Sequence, residues 1–132
     1  MSTEPSTATG KQGTGEVRHD LAPLTSRFAA LGTPTEATWL SGELGGSAPG
    51  PTTYWIDAVV TLSSATAATL LATGPEPTTA TPDVIAALAS SLPAGPLSTG
   101  TALDALFAAG EFRATAYLTA DGTTVVLVAR GQ

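Results

Sequence analysis

The chain has no cysteine and no asparagine, a single histidine and a single lysine, and only five Lys and Arg in 132 residues. Each shortage closes a route. Without thiols there is no disulfide, no thiolate metal site and no cysteine nucleophile. The one histidine, His19, stands at the foot of a polar N-terminal stretch, and no Gly-x-Ser-x-Gly elbow is present to hold a serine for it. His19 therefore reads as a solvated surface residue. No Asp-x-Asp or calcium-loop spacing occurs among the carboxylates, so no metal or cofactor is expected. Five cations against a formal net charge of −6 leave no basic stripe to follow a phosphate backbone, which excludes nucleic acid as the expected partner. No uninterrupted apolar run approaches the roughly 18 residues a membrane helix needs, and the N-terminus lacks a signal-peptide core. A soluble, cytoplasmic protein is expected.

What is abundant is Ala, Thr, Gly and Pro, with 42% hydrophobic residues, enough for one domain with one core. Residues 1–17 are polar, with Val17 the first aliphatic residue after Met1, and read as a disordered tail; residues 18–132 read as a single domain. Leu21, Leu24, Phe28 and Leu31 share a helical face ahead of Gly32. The run from Trp39 to Leu44 suggests a strand, and Thr53–Leu62 a stronger one. Three helical segments follow: one capped near Ser64, one opened by Thr81-Pro82-Asp83, and one opened by Thr101 with Asp104. The chain closes on two alternating runs around Asp121-Gly122, the pattern of a hairpin with a primed two-residue turn. The expected fold is α+β, a mostly antiparallel sheet of about four strands ending in a C-terminal hairpin, with helices packed on one face.

Strand alternation assigns the faces. Tyr54, Ile56, Ala58, Val60 and Leu62 fall on one side of the second strand and Trp55, Asp57 and Val59 on the other. The hairpin register sets Arg113 opposite Arg130 and Tyr117 opposite Val126, on the face away from Ala116, Leu118, Val125 and Leu127. With Leu40 and Leu44 turned inward, Trp39 and Glu43 join the outer face. That face then gathers Trp39, Glu43, Trp55, Asp57, Arg113, Tyr117 and Arg130. Either it is covered by another element, the Asp20–Leu31 helix, or it is an open aromatic surface of the kind that binds a protein partner or a second copy. The functional expectation is a small acidic non-enzymatic binding module acting through this face. The competing expectation is a small-molecule binder or small hydrolase built on a Glu43/Asp57 carboxylate pair beside the tryptophans.

Overall fold

The computed structural model describes residues 11–13, 17–44, 53–79, 81–82, 84–93, 96–108 and 113–131, with the backbone alone for 11–13, 43–44, 53 and 86–87. Seven strands form one antiparallel sheet: β1 (Lys11–Gly13), β2 (Glu36–Leu44), β3 (Thr53–Thr61), β4 (Glu76–Thr78), β5 (Leu97–Thr99), β6 (Arg113–Thr119) and β7 (Thr124–Gly131), in the order β1-β2-β3-β7-β6-β5-β4. The architecture is α+β, and the four long strands are those the alternation identifies. β1, β4 and β5 are three residues each, too short to show a period. Lys11–Gly13, assigned to a tail from composition, pairs with β2, and Arg18 forms a further bridge to Trp39. The remainder of residues 1–16 lies outside the described residues.

The main core lies between one face of the sheet and α1 (Ala22–Arg27), α2 (Ser64–Leu71) and α4 (Thr101–Leu106). Pro23 sits in the first turn of α1, where its missing N–H costs nothing, and Leu24, Phe28 and Leu31 bury the predicted stripe. α1 stops at Arg27 and a 3-10 turn carries the stripe on to Leu31, with Gly32 at φ 63° ending it. Ser63, one residue before the expected cap, accepts the Thr66 N–H at the start of α2. Ile56, Ala58, Val60, Ala116, Leu118, Val125 and Leu127 supply the sheet side, as alternation requires.

α3 (Ala86–Ala89) lies on the opposite face, against β2 and β3. The helices are thus not all on one face. The Thr81-Pro82 signal leads to a single turn because Ile85, its N-cap, is held extended at φ −60°, ψ 148°; Asp83 lies outside the described residues. Among the described residues no helix is long and apolar enough to cross a membrane.

The sheet's edges are managed locally. β5 reaches only the end of β6, and beyond it Asp104 of α4 accepts the Ala116 N–H at 2.9 Å, using a strand donor that would otherwise invite pairing. β4 ends the sheet with Pro77, which has no N–H to offer.

Candidate functional site

The hairpin register holds: Arg113 faces Arg130, Thr115 faces Val128 and Tyr117 faces Val126. The turn differs from a two-residue primed one. Gly122 N–H donates to the Thr119 carbonyl at 2.8 Å, and Asp121 Oδ1 accepts the Thr123 N–H and the hydroxyls of Thr119 and Thr123 at 3.1, 2.8 and 2.9 Å. These local acceptors favour a longer turn, with Gly122 still at φ 77°. The same three donors, the Thr123 N–H foremost, hold the Asp121 carboxyl below the ordinary aspartate value.

The β2–β3 register overturns the expected orientation of β2. Trp39 stands opposite Ala58 and Leu40 opposite Asp57, so Trp39 turns into the main core and Leu40 to the outer face. Both positions are apolar, and alternation within β2 alone could not choose between them. Trp39 Nε1–H donates to the Asp20 carbonyl at 2.9 Å, and the Arg18 guanidinium lies 4.3 Å from the ring centroid while bridging Asp20 at 2.6 Å. That contact with Arg18 lowers the Asp20 carboxyl. His19 Nδ1 lies 3.0 Å from the Ala37 carbonyl, fastening the same segment along β2.

The same register separates the proposed carboxylate pair. Glu43 is opposite Tyr54, a core-face position, whereas Asp57 belongs to the outer face. The side chain of Glu43 lies outside the described residues. Asp57 is fully buried, and its Oδ2 accepts the Ile85 N–H at 2.7 Å. Around it a second, smaller cluster unites Leu40, Trp55 and Leu88, with Val17, Val84 and Ile85 packed against it. Among the described residues the cover over Trp55 is therefore the α3 segment together with Val17, and the Asp20–Leu31 helix, expected there, serves the other face. Nothing in the local sequence of 84–88 signals this role, because the donor to Asp57 is a backbone N–H that every residue but proline carries.

Of the seven residues assigned to the outer face, Trp55 and Asp57 are thus enclosed and Trp39 belongs to the core. Arg113 and Arg130 remain exposed, with Tyr117, Thr115 and Val128 half-buried beside them. Val126 is fully buried, so the open part of the face is the Arg113–Arg130 end of the β6–β7 ribbon. A groove of about 360 Å³ opens further along, between Ser91 and Pro93 and the ends of β2, β3 and β7, lined by Glu36, Thr38, Val59 and Thr124. Asp57 does not line it. Among the described residues no three His, Asp or Glu side chains are grouped to hold a metal ion. No protein-family model matches the chain, and neither a curated protein nor a solved structure matches it.

Proposed function

We propose that the protein is a small acidic binding module, without catalytic chemistry of its own, that engages a protein partner through the uncovered end of its outer sheet face. The observation that carries this reading is the pair Arg113 and Arg130, directly opposite on neighbouring strands and both exposed. Two guanidinium groups at one end of the ribbon concentrate positive charge on a chain whose formal net charge is −6. An acidic side chain of a partner complements this positive end, and a planar guanidinium grips a carboxylate with two parallel hydrogen bonds, which lysine cannot do. Tyr117, Thr115 and Val128 offer the mixed aromatic and polar surroundings usual around such an anchor. The partner, another protein or a second copy of this chain, is one that presents an acidic side chain.

Arg113→Glu separates binding from folding. It reverses one charge at an exposed position, so stability should stay within about 1 kcal/mol of the wild type. Self-association by light scattering, or capture of the partner, should be lost. An unchanged assembly, or a wild type that stays monomeric at high concentration and captures nothing, would remove the support for this reading.

A further inference from the structure

β5 and β6 pair Leu97 with Thr119 and Ser98 with Leu118, and the same register, two residues further, sets residue 100 against Ala116. That rung is never laid. Gly100 is instead the N-cap of α4, and its carbonyl accepts the Asp104 N–H at 2.9 Å. The Ala116 N–H, which points away from β7 to where that carbonyl would lie, donates to Asp104 Oδ1 at 2.9 Å. One carboxylate oxygen in the first turn of α4 thus stands in for a backbone oxygen that the helix has taken from the strand.

An edge strand is a template for another strand unless its donors are blocked. Backbone groups repeat their direction every second residue, so the N–H and C=O of Ala114 face the same way as those of Ala116. A second β6 lying antiparallel about a two-fold axis at Thr115 sets Ala114 of each copy against Ala116 of the other, with both N–H···O bonds exchanged at each pair. The same register sets Arg113 of each copy opposite Tyr117 of the other, a cation beside an aromatic ring, whereas within its own chain Arg113 faces Arg130. Leu103, the buried residue of α4, and Phe107 after it belong to the main core, so the helix lies against a face of the sheet and not along this edge. We propose that Asp104 is an edge guard: by occupying the Ala116 donor, its carboxylate keeps β6 from pairing with β6 of a second copy of this chain. The guard concerns backbone pairing and does not depend on the binding reading above.

Because the chain has no cysteine, a single thiol reads the pairing directly. Thr115→Cys places it on the axis, where the two residues of a non-hydrogen-bonded pair have Cα atoms about 4.5 Å apart, within disulfide reach. Under mild oxidation at equal concentration, Asp104→Ala/Thr115→Cys should form covalent dimers at least about 10-fold faster than Thr115→Cys alone. Asp104→Asn loses the charge but keeps an accepting oxygen, so Asp104→Asn/Thr115→Cys should cross-link like the parent. Adding Ala114→Pro to the Asp104→Ala variant removes an edge donor and spares the ladder to β7, and should restore the slow rate. A chain that cross-linked only because it had loosened would not slow in this way. In the unaltered chain the Ala116 amide should exchange with solvent within about 10-fold of the Thr115 and Tyr117 amides, which face β7. Cross-linking that ignores the loss of the carboxylate, that is fast in the Asp104→Asn variant, or that persists with Ala114→Pro would each overturn the proposal. So would an Ala116 amide exchanging at least about 100-fold faster than its neighbours.

Discussion

Gly74 and Gly122 share almost the same left-handed backbone, φ 76° and 77°, in opposite surroundings. A Cβ on Gly74 would meet nothing within 4 Å, whereas one on Gly122 would lie 2.8 and 2.9 Å from Leu71 Cδ1 and Cγ and 3.3 Å from the Ala67 carbonyl. Alanine in this conformation costs about 1–2 kcal/mol, offset by about 0.4–1 kcal/mol from its narrower unfolded ensemble. Gly74→Ala should therefore cost on the order of 1 kcal/mol. Gly122→Ala carries the same backbone term plus a steric one. Leu71 is 38% exposed and can swing toward solvent, giving up its packing on the turn, but the Ala67 carbonyl belongs to α2 and moves only with the helix. Forcing a methyl into such a gap adds about 1–2 kcal/mol, for a total of about 2–3 kcal/mol. Because the backbone term cancels, the difference between the variants measures how firmly α2 rests on the hairpin. Urea midpoints at a common slope of about 1–3 kcal/mol per molar resolve it. Equal losses would show that α2 does not brace the turn. A neutral Gly122→Ala would refute the left-handed turn itself.

Two further outcomes follow from the faces and the carboxylates. Trp55→Ala should lower stability by about 3–5 kcal/mol, as expected for an enclosed large aromatic, whereas Tyr54→Ala, removing a neighbour that is 45% exposed, should stay within about 1 kcal/mol; similar values in chemical denaturation would mean that the second cluster is no core. Asp20 and Asp121 both have folded-state carboxyls below the ordinary value. Their contribution is fully present above that value, about 3.9, and is lost as pH falls beneath it. Asp20→Asn and Asp121→Asn should each flatten the fall in urea midpoint from pH 5 to pH 2.5, and a slope unchanged in both would contradict the two local hydrogen-bond sets.

Much of the architecture follows from short-range pattern. The Leu24, Phe28 and Leu31 stripe, the β3 alternation and the Arg113–Arg130 register depend on periods of 3.6 and 2 and on an Asp-Gly turn, all of which act within about ten residues. The α+β class follows from them. Three features were settled elsewhere in the molecule. β2 carries a large apolar side chain on both faces, so its orientation depends on pairing Trp39 with Ala58, a choice made by β3 and by the Arg18–Asp20 segment that closes over the indole. β1, β4 and β5 are strands because a neighbouring edge accepts their backbone, since three residues have too little period of their own. Asp57 reads in sequence as a charge facing outward, and it does face outward; the return of residues 84–92 across the sheet, with Val17 beside it, packs over Trp55 and supplies the Ile85 N–H to Asp57. Alternation determines the side of the sheet on which a residue stands, and contacts made far along the chain determine whether water or protein covers that side.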